Sequence, residues 1–428
     1  MSLKKRFKVK KLDSTNLMIL FLSFSNLIAN ALNIISGLFV ARWLLPNELG
    51  TFSSFTIFTG YIILVQLGIP SAISRELPFY LGTNDKDHAY KLTAVSQFWQ
   101  KLLSLGVLII GIIISLVFLY LGDYLYASGI AVVSLMSWQA LYVTKYLKIL
   151  YRTNKDFNKL SWIKLINGVS AFATIILVWQ FGFYGLCLRA VINILIDFVV
   201  TYYWRPIKVK AYWDKISFIS LIKLGLPMYG VASVYGLWPL IQRTLILSMG
   251  GTTALGLFSI ATMVEAGMKT VSGSLSSVMY PTMTTQWGKG LKLNQIMKKL
   301  KKPFGLSFIL LAAVIPVGWW LLPFFIELLL PNYIEGIVAA QWMLLVGLLS
   351  LANVFSNVYN IVKDQKNRLI CYLSGFTVWA VSVFGLKLVN GFTLEIFPQA
   401  MIPALIIMAL LNFLYINKKW NLNHNIND

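Results

Sequence analysis

The sequence predicts an all-α polytopic membrane protein, with about twelve transmembrane helices in two parallel six-helix halves around a central cleft. Three observations lead there. The first is composition. The 428 residues are 58% apolar and 12% charged, with a mean hydropathy of +0.72. A soluble domain carries roughly a quarter charged residues. The second is spacing. Charges cluster between apolar runs of about 20 residues, the length that crosses a bilayer core. These runs are continuous and lack the two-residue alternation of a barrel strand, so they are helices whose backbone groups are satisfied within the lipid. The third is an echo. A polar turn, Arg42-Trp-Leu-Leu-Pro-Asn-Glu-Leu-Gly-Thr-Phe-Ser53, follows the first apolar run. Its Glu48-Leu-Gly-Thr-Phe-Ser53 aligns with Ala254-Leu-Gly-Leu-Phe-Ser259. An apolar helix precedes and follows each copy, as expected for one six-helix unit used twice.

In order, the spans are expected near residues 16–40, 51–70, 102–121, 130–147, 160–180 and 183–204 in the first half. The second half follows near 221–248, 252–280, 303–324, 337–362, 369–388 and 396–416. The halves are 1–213 and 214–428, with the basic stretch 205–223 as linker. Parallel halves are related by an axis along the membrane normal.

The 37 Lys and Arg are distributed unevenly. Nearly all lie in the N-terminal stretch, in the segments after the even-numbered spans, and in the C-terminal tail. Arg42, Arg189, Arg243, Lys269 and Lys387 are the exceptions. The opposite loops are short and carry Asp123, Glu327, Glu335 and Glu395. Such asymmetry places the basic side and both termini in the cytoplasm. The net charge of +22 is therefore a topology signal that also suits anionic lipid. It calls for no nucleic-acid partner. Residues 1–13 lead into a full-length span without a small-residue cleavage site, and read as a cytoplasmic tail rather than a signal peptide. Cys187 and Cys371 both fall in apolar runs and read as packing residues.

Ionisable groups inside spans are expensive, and they pair or line a cavity. Span 6 carries Arg189, Asn193, Asp197 and Thr201, whose spacing of four makes one drifting stripe. Span 8 carries Thr262, Glu265, Lys269, Ser272 and Ser276 on one face. Glu265 precedes Lys269 by four residues, the favourable order for a pair. Span 1 shows Asn26, Asn30 and Asn33, and span 10 shows Asn353, Ser356 or Asn357, and Asn360. Each group has two readings. The Asn and Ser stripes, with Asn193, either tie helices together or line a wet cavity. Asp197 and Glu265 either form structural pairs with Arg189 and Lys269 or couple transport to an ion. Arg243 either snorkels to the outer interface or faces the cleft. The deep cations Arg189, Arg243 and Lys269 outnumber the two acids, and Arg42 lies at the outer end of span 1. A cationic cleft suits an anionic substrate, with a phosphate or pyrophosphate as the natural partner of Arg and Lys.

Span 7 holds Pro227, Pro239, Gly225, Gly230 and Gly236, and is expected to be the most deformable helix. Pro70 is expected to end span 2, and Pro316 falls in span 9. No phosphate loop of the Gly-x-x-x-x-Gly-Lys-Ser/Thr type occurs. His88 and His424 lie outside the spans, and no cluster has metal-ligand spacing. No nucleophile has an evident base. The sequence calls for no cofactor, and a transporter fits better than an enzyme.

The twelve spans, the Leu-Leu-Pro-Asn-Glu-Leu-Gly-Thr-Phe-Ser turn, Ala254-Leu-Gly-Leu-Phe-Ser-Ile-Ala261 and Met279-Tyr-Pro-Thr-Met-Thr-Thr-Gln286 together resemble the Wzx-type polysaccharide flippases. These belong to the multidrug/oligosaccharidyl-lipid/polysaccharide (MOP) exporter superfamily. The resemblance implies translocation of undecaprenyl-pyrophosphate-linked oligosaccharide repeat units, as in O-antigen or a related glycan, across the bacterial inner membrane. It also implies cationic cavity contacts, which Arg243 and Lys269 match by position. A polymerase and a chain-length regulator of the same pathway are the implied partners. The rivals are a drug or cation antiporter of the same superfamily and a membrane-embedded polymerase. An antiporter would favour acidic intramembrane residues, and a polymerase would be expected to carry a large outer loop. A lipid II flippase would be expected to have fourteen spans.

Overall fold

The computed structural model describes residues 14–422, apart from 155, 289, 290, 292 and 363. The basic N-terminal stretch and the last six residues, assigned above to the cytoplasm, lie outside the described residues. Those described form helices and no strand. Ten helices are long and apolar enough to cross a membrane. Two of the ten contain a reversal of the chain. Ile175–Tyr203 turns at Gly182, with φ 54° and ψ −128°. Gly185 thereby comes to lie against the carbonyl of Leu177. The long helix Lys215–Gly288 turns at Gly251, with φ 73° and ψ −170°. Glycine alone adopts these left-handed conformations without steric penalty.

Twelve spans result. Spans 1 to 4 are Ser14–Trp43, Pro46–Gln66, Lys86–Tyr120 and Tyr124–Thr153. Span 5 is Phe157–Ala173 continued to residue 181, and span 6 is 183–203. Spans 7 and 8 are 215–250 and 252–288. Spans 9 to 12 are Leu293–Leu329, Pro331–Ile361, Gln365–Asn390 and Ile396–Leu422.

Two expectations need correction. Spans 3 and 9 begin at Lys86 and Leu293, well before the apolar run does, because nothing breaks the helix as it leaves the lipid. Pro70 does not end span 2. The break is at Leu67 and Gly68, with φ of 56° and 72°, and Pro70 stands in the first turn of a further helix, Ile69–Gly82. Proline is well suited there, where no backbone N–H is needed. Span 7 keeps helical dihedrals through Pro227 and Pro239 and leaves them only at Gly251.

The turn between spans 1 and 2 follows from its sequence. Pro46 opens span 2, and the Leu45 N–H donates to Glu48 Oε2 at 3.0 Å. The Glu48 carboxylate also sits favourably at the positive end of the helix dipole.

We call the end bearing Asp123, Glu327, Glu335 and Glu395 the acidic end, and the other the basic end. The packing differs between them. Toward the acidic end, one core joins both halves, with Val40, Leu44 and Leu49 against Phe258, Tyr333 and Phe397. Toward the basic end the core divides. Ile69, Leu92, Tyr146 and Leu150 pack in the first half, and Met268, Ile296, Leu351 and Val358 in the second. The linker docks under the first half. The Tyr212 N–H donates to Ala94 O at 3.3 Å, and Lys91 pairs with Asp214 at 3.0 Å. Hydrogen bonds from Ser217 and Lys91 hold the Asp214 carboxyl at about 2.

Candidate functional site

The site begins where the halves separate. At the acidic end they are clasped. A Cβ on Gly50 would overlap the Thr252 carbonyl, and one on Gly256 would overlap the Pro46 carbonyl. Positions 50 and 256 correspond in the repeat, as do 46 and 252, so the contact is reciprocal. Asn47 bonds Thr252 beside it. Arg42 Nη1 donates to Leu329 O at 2.7 Å, and the buried Tyr333 hydroxyl to Leu44 O at 3.1 Å. Arg243 Nη2 donates to Ser53 O at 3.0 Å and to Thr56 Oγ1 at 2.9 Å. Tyr61 and Thr244 hydroxyls meet at 3.0 Å. Arg42 and Arg243 thus stand among the contacts between the halves, and neither lines the cavities described next.

Toward the basic end three cavities open. One, of about 820 Å³, lies between spans 2, 4 and 7 and includes Gln66, Ser71, Ser74, Thr144, Lys145, Arg152 and Ser233 in its lining. Gln66 Oε1 and Ser233 Oγ are buried there without a hydrogen-bond partner among the described residues. The second, of about 380 Å³, lies between spans 1, 5 and 8 and is lined by Asn26, Asn30, Lys164, Lys269 and Gly273. The third, of about 270 Å³, lies within the second half, against Tyr235, Lys269, Ser272, Ser276 and Asn353. Lys269 and Gly273 belong to both of the last two.

The electrostatics are one-sided. Arg152 lies within electrostatic reach of Lys145 and Lys164. None of the three has a carboxylate at ion-pair distance among the described residues. Lys164 donates to Asn26 Oδ1. Lys269 pairs with Glu265 at 2.5 Å. The first-half wall therefore carries the uncompensated charge, and the second-half wall a neutralised pair.

The sequence counted Lys145 and Lys164 with the loops of the basic side, whereas both stand on helices facing a cavity. One signal was legible. Lys145, Lys148 and Arg152 are spaced three and four apart, one helical face. Lys164, thirteen residues after Tyr151 and on the next span, shows no such signal.

Span 6 does not face the cleft through its polar stripe. The stripe faces span 5 and the interior of the first half. Arg189 donates to Ala171 O at 3.2 Å and to Ser36, not to Asp197. Asn193 donates to Thr174 Oγ1 at 3.1 Å. Asp197 is 2% exposed. It pairs with Lys148 at 2.9 Å and accepts from Gln139 and Asn167 at 2.6 Å each. Gln139 opens a π-helical stretch, Gln139–Leu147. Of the other candidates, Asn33 is exposed, and Asn357 donates to Ser276 at 2.9 Å. Cys187 and Cys371 are buried and unbridged.

The fold is that of MOP-superfamily membrane transporters. An inward-facing multidrug-resistance MATE family transporter of that superfamily superposes with a TM-score of 0.70, at 13% identity, over 94% of this chain and 99% of its own. The outward-facing form of such a transporter gives 0.59, at 16% identity over 95% and 96%. A MOP-superfamily transporter from Pyrococcus furiosus, described as having a binding pocket of reverse polarity that suggests a different function, gives 0.64 at 15% identity, over 94% and 95%. No curated protein matches in sequence. The family described as "Polysaccharide biosynthesis protein" matches residues 39–319. This chain belongs to that family.

Proposed function

We propose that the chain is a flippase for undecaprenyl-pyrophosphate-linked oligosaccharide units, of O-antigen or a related glycan, in the bacterial inner membrane. The observation that carries this reading is the trio Lys145, Arg152 and Lys164. Lys145 and Arg152 line the largest of the three cavities described and Lys164 the next, and none of the three has a carboxylate at ion-pair distance among the described residues. Unpaired charge within a membrane is kept only for function or partners, and a pyrophosphate is such a partner. The positive-inside asymmetry turns the basic end to the cytoplasm, where lipid-linked units are assembled.

The pyrophosphate and sugars enter the cleft while the polyprenyl chain stays in lipid. The edge of span 1 beside Asn26 and Asn30 is apolar and exposed, with Phe24 at 61% and Leu27 at 45%, and suits such a chain. The halves then rock about the cleft, opening the acidic end. Without a nucleotide site, the drive is an ion gradient or consumption of product outside. Glu265, paired with the cavity-lining Lys269, is the candidate coupling group; Asp197, buried against Lys148, is not. A cation antiporter shares the fold, but its substrate would meet three uncompensated positive charges. The test is export from cells carrying Lys145→Ala, Arg152→Ala or Lys164→Ala at equal protein level. The reading expects reduced glycan export in each, and undiminished export in all three would remove its basis.

A further inference from the structure

The flippase reading leaves the small cavity inside the second half unassigned. Its lining differs from that of its neighbours. Apart from Lys269, the polar groups are neutral. They are the hydroxyls of Tyr235, Ser272, Ser276 and Ser350 and the amide of Asn353. They come from spans 7, 8 and 10, so three helices converge on one space.

These groups are arranged to offer both donors and acceptors. Asn353 Nδ2 donates to the Tyr235 hydroxyl at 3.1 Å. An amide keeps a second N–H and a carbonyl oxygen for other partners. Ser276 Oγ accepts from Asn357 at 2.9 Å, which leaves its own proton to donate. The Tyr235 ring packs on Tyr372 with centroids 5.0 Å apart, which fixes the hydroxyl in position. Neutral groups of mixed donor and acceptor character fit a polyhydroxylated ring, not a second phosphate.

The position agrees. The cavity shares Lys269 and Gly273 with the cationic cavity between spans 1, 5 and 8. A Gly273 side chain would meet open space, so nothing from another helix fills the point that the two linings share. At about 270 Å³, the cavity is smaller than sites for drug-sized ligands, about 300–1,000 Å³. One ring fits, not an oligosaccharide.

We propose that this cavity is a subsite for the sugar attached to the pyrophosphate, so that the first half holds the anion and the second half the first ring. The assignment rests on the flippase reading. The test uses the purified full chain in nanodiscs and two probes, undecaprenyl pyrophosphate and the same lipid bearing one N-acetylhexosamine. The wild type should bind the glycosylated probe about tenfold more tightly, the effect of a few net hydrogen bonds. Tyr235→Phe keeps the ring packing, and it should bring the ratio of the two affinities toward one, as should Asn353→Ala and Ser276→Ala. Lys164→Ala should weaken both probes and keep the ratio. A wild-type ratio of one, or a ratio kept by Tyr235→Phe and Ser276→Ala, overturns the subsite alone. Failure of the wild type to bind either probe overturns the flippase reading and the subsite together.

Discussion

Gly50 of span 2 and Gly256 of span 8, equivalent positions of the repeated motif, lie against each other's helices where the two halves meet. Each fits only because it lacks a side chain. A Cβ on either would overlap a carbonyl of the opposite half, Thr252 or Pro46. The motif recurs because one contact needs it twice.

Gly50→Ala and Gly256→Ala should therefore disfavour closure at the acidic end and shift the population toward the opposite opening. Met263, which packs on Gly37 of span 1, is a suitable reporter after Met263→Cys, since both native cysteines are buried. Labelling of that cysteine by an impermeant maleimide from outside should rise severalfold in either glycine variant. Unchanged labelling would show that the contact does not govern opening. Arg42→Ala, which removes the bond to Leu329, should act in the same direction and more weakly.

Glu265 neutralises Lys269 at 2.5 Å. Glu265→Gln should release a full positive charge into the cavity. Binding of undecaprenyl pyrophosphate should strengthen, by up to about tenfold for 1.4 kcal/mol, and release should slow. Lys269→Ala should act oppositely on binding. Equilibrium titration in nanodiscs measures both. Weaker binding in Glu265→Gln would place the carboxylate, not the lysine, in contact with the substrate.

Gly236 and Gly273 each face empty space, and both line cavities. Replacing a helical glycine with a better helix former gains about 0.5–1 kcal/mol where space allows. Gly273→Leu and Gly236→Leu should thus keep or raise the melting temperature while reducing glycan export. Full export with a filled cavity would mean that substrate passes elsewhere.

The buried Lys148–Asp197 pair is a stability element. Asp197→Leu leaves Lys148 uncompensated and should cost about 3–5 kcal/mol. Adding Lys148→Met should recover most of that loss, since replacing both charges with apolar groups is often neutral. Thermal unfolding in detergent reads both. If the double variant is as unstable as the single, Gln139 and Asn167 rather than the ion pair carry the energy.

The spans and the repeat were legible because the lipid imposes length and hydropathy directly on sequence. The turn at residues 42–53 was legible as a polar break between two apolar runs, whereas its cap, from the Leu45 N–H to Glu48, came only with the structure. The ends of spans 3 and 9 were not legible, since a helix leaving the bilayer turns polar without stopping. Asn26, Asn30, Lys269 and Asn353 were recognised by type and spacing and do line cavities. Arg189, Arg243 and Asp197 share the same sequence signature, yet bond neighbouring helices. Helical spacing defines a face but not what the face meets. Lys145 and Lys164 were hidden for a related reason. A cation near a span's end counts equally toward topology whether it points to water or into a cleft.

A flippase is defined by the leaflet from which its cargo leaves. Deletion of the gene, followed by analysis of lipid-linked glycan in each leaflet, tests that sidedness most directly. Without the flippase, single repeat units should accumulate on lipid at the cytoplasmic face. Single units that still reach the outside, with only long chains lost, would contradict it.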